Sequence, residues 1–318
     1  MRREATISKA SGGGHAAPRS RVLPRPVSWR GCILRAAAVL LALAVASRVE
    51  AGEKHALWRI GSAVNSVYLV GSIHALPPGV YPLEEAFQRP FEESSALVLE
   101  CDLAELAARP VQEALRQRTV LEGTGLSRRL APGVRLRLEK VLREAGIDPS
   151  VVEHQKPWAV ALFLGQLKIR RAGFWMEEGV DRHFFERAKK SGKAVVGLES
   201  PAAPLGIFDS LTEAEQESLL TEALNELASG EQDLKTIYDA WRSGDAGALA
   251  SALQEPLARE PGLFRKLLTD RNEQWLPRIE GFLKETKTYF VVVGAAHLVG
   301  DHGLLEALRR KGYTVEQL

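Results

Sequence analysis

The chain has 318 residues, of which 45% are hydrophobic, and a formal net charge of +2 at pH 7. This length and apolar content suffice for one large or two modest domains with a buried core. The basic side chains are concentrated within residues 1–35, where Glu4 is the only acid, so the rest of the chain is mildly acidic. The composition therefore gives no support for nucleic-acid binding.

The basic N-terminal segment leads directly into an apolar run over residues 36–46. This run is too short to cross a bilayer comfortably, which takes about 20 residues, but it suits the hydrophobic region of a signal peptide. Val49-Glu50-Ala51 supplies a small-x-small cleavage site. We therefore expect residues 1–51 to be a signal peptide and residues 52–318 to be periplasmic or secreted. The alternative is an uncleaved leader that anchors the protein to a membrane, which would be its only membrane contact.

The first strand signals of the body flank Asn65-Ser66. Residues 56–60 and 67–70 are apolar and rich in β-forming side chains, a pattern that predicts a β-hairpin. The second of these segments continues as Gly71-Ser72-Ile73-His74. A break at 77–79 and a helix from residue 83 follow, and residues 96–100 then predict a short buried strand that ends in Glu100.

Helical periodicity dominates residues 103 to about 285, apart from a predicted strand at 194–199 that ends in Glu199. A Val-rich strand at 289–293 leads to a second glycine and histidine, Gly294 and His297. A helix over 302–310 and a strand at 313–315 close the chain. We predict one α/β domain over 52–318, with a mixed sheet built from N- and C-terminal strands and a large helical insertion over about 103–285.

The same local pattern thus occurs twice: an apolar strand, a glycine, and a histidine three residues after the glycine. Open α/β sheets place ligand sites beyond the carboxyl ends of their strands, so His74 and His297 are candidates for one shared site. Gly71 and Gly294 lack a Cβ, which lets the backbone turn sharply and approach a ligand closely. A single histidine after a strand is more often a hydrogen-bonding residue, but two in matched contexts favour a shared site.

Glu100 and Glu199 end two other predicted strands and complete a set of nitrogen and oxygen donors with His74 and His297. Such a set suits Zn²⁺, Mn²⁺ or Co²⁺, and a divalent ion held there could acidify a bound water. Plainer interpretations remain open, because Glu199 could cap the next helix and Glu100 could be a solvated strand end. Asp102 lies on the same side of its strand as Glu100 and competes for the same role.

Arg271 and its neighbour Asn272 are second candidates, within a helical segment. Arginine can hold a carboxylate or stabilise a developing oxyanion, whereas the plainer alternative is a salt bridge on a helix surface. The sequence contains no Gly-x-Ser-x-Gly elbow, no His-Glu-x-x-His motif and no phosphate-binding glycine-rich loop.

Taken in order, segments along about 56–318 resemble the TraB/GumN family: 57–60, 67–74, 81–83, 96–100, 179–181, 197–199, 270–272 and 293–300. The resemblance implies a fold related to the erythromycin esterase and ChaN-like group, and kinship with the Tiki metalloproteases. In Tiki-type members the two Gly-x-x-His motifs and accompanying glutamates are taken as a metal-dependent peptidase site. Carried over, His74 and His297 are linked to the metal, with Glu100 and Glu199 as ligand or general base. Arg271 matches the family's recurrent arginine and would bind the substrate or the transition state.

We therefore expect an exported, metal-dependent hydrolase, a peptidase, with Mn²⁺, Co²⁺ or Zn²⁺ between the two histidine loops. Glu199 or Glu100 would activate water, Arg271 would stabilise the oxyanion, and Arg271 with Asn272 would bind a peptide or small-ester substrate. One alternative is a metal-independent esterase in which His74 and His297 act as base and acid. Another is a periplasmic binding protein without catalytic activity.

Overall fold

A computed structural model describes residues 54–318. Six strands in this range form one mixed sheet: β1 (Leu57–Gly61), β2 (Ser66–Ser72), β3 (Ala96–Leu99), β4 (Ala194–Gly197), β5 (Tyr289–Gly294) and β6 (Thr314–Gln317). Their order across the sheet is β4-β3-β5-β2-β1-β6. The neighbours β4, β3, β5 and β2 run parallel, whereas β1 pairs antiparallel with both β2 and β6.

The predicted hairpin is confirmed, with Leu57 opposite Val70 and Gly61 opposite Ser66. The turn is closed by a hydrogen bond from the Ser62 backbone N–H to the Asn65 carbonyl oxygen, 2.9 Å long. β5 is buried along its whole length. A central parallel strand is covered on both faces, which explains why its sequence is a continuous apolar run and does not alternate.

Helices cover both faces and extend beyond the sheet: α1 (Glu85–Glu93), α2 (Leu103–Leu106), α3 (Arg109–Thr119), α4 (Leu126–Arg129), α5 (Pro132–Glu144), α6 (Pro157–Arg171), α7 (Val180–Ser191), α8 (Ala203–Asp209), α9 (Glu213–Ala228), α10 (Gln232–Arg242), α11 (Ala246–Ala258), α12 (Pro261–Phe264), α13 (Asp270–Phe282), α14 (Ala295–Leu298) and α15 (Leu304–Arg310). The predicted α/β class with a helical insertion is confirmed. β4 belongs to the sheet although it lies within the predominantly helical range of about 103–285. The elements α7 and β4 therefore divide this range into two helical segments.

The described residues bury two separate apolar cores. The larger core lies on the sheet and includes an aromatic group in which Phe91, Phe184 and Phe290 contact one another with ring centroids 4.7–5.5 Å apart. The second core lies among the helices and is formed by Leu121, Leu126, Leu130, Leu138, Leu142, Val152, Val160, Ala161, Leu164, Leu220 and Leu224. The helical segments are thus stabilised by the apolar side chains that they bury among themselves. They do not need to cover the edge of the sheet where the parallel strands end, and a site can form there.

The predicted signal peptide, residues 1–51, lies outside the described residues. Across residues 54–318, none of the helices combines the length and the apolar content that a membrane span requires.

Candidate active site

The residues predicted to form a site follow four neighbouring parallel strands. Glu199, Glu100, His297 and His74 come after β4, β3, β5 and β2, which is also the order of these strands across the sheet. Glu100 directly follows β3, and His297 lies in the short helix α14 directly after β5. Because the carboxyl ends of these strands meet at one edge, the fold assembles residues that are far apart in sequence.

Arg271 lies at the centre of this cluster. Its Nη2 contacts Glu100 Oε2 and Glu199 Oε1, each at 2.6 Å, and its Nε donates to Glu199 Oε2 at 3.2 Å. Its Nη1 lies 2.9 Å from His297 Nε2. Only 9% of Arg271 is exposed, so its salt bridges are buried and do not lie on a helix surface, which was the plainer alternative from the sequence. A buried arginine shared by two carboxylates makes strong, charge-assisted hydrogen bonds.

A π-helical turn, Arg265–Thr269, positions Arg271 at the start of α13. The guanidinium Nη1 also donates to the Leu267 carbonyl oxygen in this turn, at 3.1 Å. On the other side the guanidinium carbon lies 4.6 Å from the centre of the Trp275 ring. π-Helical turns are rare and occur frequently at functional sites.

Both motif glycines permit close packing. A Cβ on Gly294 would lie 3.1 Å from Glu100 Oε1 and 3.6 Å from both His74 Nε2 and His297 Cδ2. The Gly294 backbone N–H donates to Glu100 Oε1 at 2.7 Å. A Cβ on Gly71 would lie 3.1 Å from the Cβ of Ala295. The two histidines and Glu100 therefore converge on the space around Gly294.

His297 is buried and held from behind by Asn272. The amide nitrogen of Asn272 donates to the carbonyl oxygens of His297 and His302, so its Oδ1 faces His297 Nδ1 at 2.7 Å. This network assigns the proton to Nδ1 and leaves the Nε2 lone pair towards Arg271. Burial lowers the pKa of His297 to about 4. The ring is therefore neutral at pH 7. Asn272 orients this ring from a buried position, and its role in binding substrate stays a prediction.

His74 has the opposite surroundings. Its side chain is 51% exposed, and its Nδ1 lies 3.3 Å from Asp181 Oδ2. Asp181 in turn accepts a hydrogen bond from Ser72 Oγ at 3.0 Å. The negative charge of Asp181 raises the pKa of His74 to about 9. At neutral pH this imidazole carries a proton, with Nε2 directed at the space beside Gly294.

The two glutamates also differ. Burial raises the pKa of Glu100, but the imidazoles of His297 and His74 outweigh it and lower the pKa to about 2. Burial raises the pKa of Glu199, and its hydrogen bonds to Arg271 only partly oppose this. The competing carboxylate, Asp102, caps α2 by accepting a hydrogen bond from the Ala104 N–H at 2.8 Å. It is Glu100 that faces the cluster.

The metal expected between the two histidine loops stays a prediction. Residues 54–318 contain no group of three or more His, Cys, Asp or Glu side chains placed to hold a metal ion. The reason is Arg271, which already receives Glu100, Glu199 and the Nε2 of His297 as partners. The donor types would suit Zn²⁺, Mn²⁺ or Co²⁺, but these groups surround a guanidinium cation, which would have to withdraw.

Sequence reasoning missed three supporting residues. Asp181 was available as part of Gly179-Val180-Asp181, but nothing local connects it to His74. Trp241 Nε1 donates to the Gly71 carbonyl oxygen at 2.7 Å. Gln254 Nε2 donates to the carbonyl oxygens of Ala296 and Val299 at 2.7 and 2.8 Å. Each histidine loop is thus fastened by one side chain of the helix pair α10–α11, a long-range contact without a sequence signal.

Comparison with known proteins agrees with the resemblance. A model of the TraB/PrgY/gumN family matches residues 56–317. Uncharacterized protein YbaP of Escherichia coli (strain K12) is 25% identical over 246 residues, which cover 76% of this chain and 87% of that protein. Metalloprotease TIKI1 of Danio rerio is 25% identical over 317 residues, covering 82% of this chain and 62% of that protein. Metalloprotease TIKI1 of Homo sapiens is 41% identical over 56 residues, or 17% of this chain and 11% of that protein. No solved structure matches.

Proposed function

The chain belongs to the TraB/PrgY/gumN family, and from this membership and the geometry of its site we propose that it is a hydrolase that cleaves peptide bonds. The observation that carries the proposal is the convergence of His74, Glu100 and His297 on Gly294, with Arg271 behind them. Relatives named metalloproteases support the peptidase class. A small ester is the alternative substrate, because the same groups would cleave it by the same steps.

In the proposed reaction, Glu100 accepts a proton from a water molecule as the water oxygen attacks the carbonyl carbon. The positive charge of Arg271 stabilises through space the negative charge that develops on the carbonyl oxygen, since its N–H groups already contact Glu199, Glu100, Leu267 and His297. His74 then donates the proton on Nε2 to the leaving nitrogen as the carbon–nitrogen bond breaks. The proton held by Glu100 returns to His74, and the products are a carboxylic acid and an amine.

Two features of the site support these roles. At pH 7 Glu100 is ionised and can accept a proton, whereas His74 carries a proton and can donate it, because their pKa values of about 2 and about 9 lie on opposite sides of 7. His74 is also oriented by a carboxylate behind it, Asp181, and half of its side chain is open to a substrate. Because Arg271 contacts both carboxylates that were assigned to a metal, the proposed steps use only protein groups.

The metal-dependent version is the second candidate, and the names of the relatives favour it. The purified full-length chain is assayed on a peptide mixture with and without prolonged chelation, and bound metals are measured by elemental analysis. Activity that survives complete chelation supports the residue-based steps. Activity that is lost and then restored by Mn²⁺, Co²⁺ or Zn²⁺ would overturn them in favour of a metallopeptidase.

Glu100→Gln tests the site itself, with Asp102→Asn as the matched control. Glu100→Gln keeps the shape of the side chain but cannot accept the proton, so we expect kcat to fall by at least about 10²-fold. Asp102→Asn changes a neighbouring carboxylate that only caps α2, and an asparagine can still cap, so activity is expected to remain. Tight ligand binding without turnover in the unmodified protein would instead identify a binding protein.

We further propose that the protein is exported, which rests on the basic segment and the apolar run at 36–46. Cell fractionation with an antibody against the body of the protein tests this. Recovery in the cytoplasm with residues 1–51 still attached would contradict it.

A further inference from the structure

Two residues adjacent in the sequence carry large apolar side chains that are partly exposed. Trp175 is 42% exposed and Met176 is 41% exposed. Large apolar groups left together at a surface mark places where a ligand or partner binds, because contact with either removes them from water. The other large exposed hydrophobic residues in the described range are Val64, in the turn between β1 and β2, and Leu136 and Val151, which lie on helical elements of the second core.

The Trp175–Met176 pair is fastened to the His74 loop. Trp175 and Leu76 form an antiparallel bridge in which the Leu76 N–H donates to Trp175 O at 3.2 Å and the Trp175 N–H donates to Leu76 O at 2.9 Å. Further along, a Cβ on Gly179 would lie 2.5 Å from the His74 carbonyl oxygen, so the segment stays in close contact with this loop. Leu76 is two residues from His74, which corresponds to about 7 Å of extended chain, and the bridge adds about 5 Å, so the Cα atom of Trp175 lies within about 12 Å of that of His74.

Contacts from other elements hold the segment in place. The Arg170 guanidinium carbon lies 4.2 Å from the centre of the Trp175 ring, and Arg170 also contacts Glu177 at 3.3 Å. Tyr81 Oη donates to the Glu178 carbonyl oxygen at 2.7 Å. The apolar pair is therefore a prepared surface, and a ligand that binds it loses little free energy in ordering it.

We propose that Trp175 and Met176 bind an apolar side chain of the peptide substrate, within about four residues of the bond that is cleaved. This inference rests on the proposed function and names the substrate class of the same site. An extended peptide spans about 3.3 Å per residue, so it can place a carbonyl beside Glu100 and an apolar side chain on Trp175 at the same time. A small ester without such a side chain could not make both contacts.

Binding is measured on Glu100→Gln protein with fluorescent peptides that carry Phe, Leu, Gly or Asp at each of the four positions on each side of a fixed bond. The binding assay needs no turnover. A failure of the active protein to hydrolyse these peptides would therefore contradict the proposed function and not this inference. We expect Phe and Leu peptides to bind about tenfold more tightly than the Gly and Asp peptides at one of these positions, a factor that matches the burial of one apolar group. In the active protein the same preference should appear in KM.

Trp175→Ala should remove most of this preference, and Trp175→Phe should keep most of it. Leu136→Ala and Val151→Ala are the controls, since they remove apolar groups that are even more exposed, 59% and 63%, from the helical elements. The inference is overturned if Trp175→Ala binds the Phe peptide as tightly as its parent does, or if the controls weaken binding equally. It is also overturned if light scattering shows a dimer that Trp175→Ala dissociates, because the pair would then be covered by a second copy.

Discussion

The two histidine loops start from the same sequence pattern and end in opposite surroundings. Both follow adjacent parallel strands, and Ser72 pairs with Gly294 across the sheet. Yet the side chain of His74 is 51% exposed, whereas His297 is only 4% exposed. The local pattern places both rings at one edge of the sheet, and the long-range neighbours then determine the charge of each ring.

The partner of Nδ1 shows the difference most clearly. In His74 this nitrogen faces a carboxylate, Asp181, and in His297 it faces a carboxamide, Asn272. The two partners have nearly the same shape, but only the carboxylate stabilises a positive imidazole. The pKa of His74 is accordingly raised to about 9, and that of His297 is lowered to about 4 by burial. Two similar loops can therefore supply a proton donor and a neutral ring.

Replacing Arg271 should have the largest effect, because this residue links the His297 loop to both glutamates. Arg271→Ala leaves two buried carboxylates without their cation, which typically costs about 3–5 kcal/mol of unfolding free energy. Chemical denaturation measures this cost, and hydrolysis should be lost as well. Arg265→Ala is the matched control, since this neighbouring side chain is 73% exposed in its ion pair with Asp270. An equal loss of stability in both variants would show that Arg271 does not hold the cluster together.

Alanine substitution should lower the free energy of unfolding by different amounts at the two histidines. His297→Ala removes a buried ring that packs against Trp275 with centroids 4.4 Å apart and leaves Asn272 Oδ1 without a donor. We expect it to cost about 2–4 kcal/mol. His74→Ala removes a half-exposed ring and should cost roughly 1 kcal/mol or less. Both variants should lose activity, and similar unfolding curves would mean that the loops are not buried differently.

Much of this site could be predicted from the sequence, because the pattern of each strand end is local. The apolar run before Gly294 identifies a buried strand, and the rule that ligands bind at carboxyl ends then brings His297 together with Glu100. What could not be predicted is the set of contacts made across the chain. Arg271 was expected to bind the substrate or the transition state, and nothing in the sequence indicated that its guanidinium also contacts both carboxylates that were assigned to a metal.

Exchanging the carboxylate behind His74 for an amide tests the comparison directly. Asp181 favours the protonated ring, so Asp181→Asn should lower the pKa of His74 from about 9 towards 6.5. NMR titration of the imidazole in chelator-treated protein measures the shift, with His74→Ala used to assign the signal. If His74 is the proton donor, the alkaline limit of activity should move to lower pH as well. A pKa that stays near 9 would show that Asp181 is not its cause.

The smallest effects are expected where each loop is fastened from behind. Trp241→Phe removes the donor to the Gly71 carbonyl oxygen, and Gln254→Ala removes the donor to Ala296 and Val299, so each should cost about 1–2 kcal/mol. Hydrogen exchange distinguishes them, because only the first change should speed exchange around 71–74 and only the second around 295–299. If either substitution speeds exchange in both loops, the two loops open as one unit. The positive charge of His74 and the neutral state of His297 would then depend on the same set of contacts. If each substitution speeds exchange in its own loop alone, the surroundings of each ring are held separately. This is the result we expect, because His74 and His297 have different partners, Asp181 and Asn272.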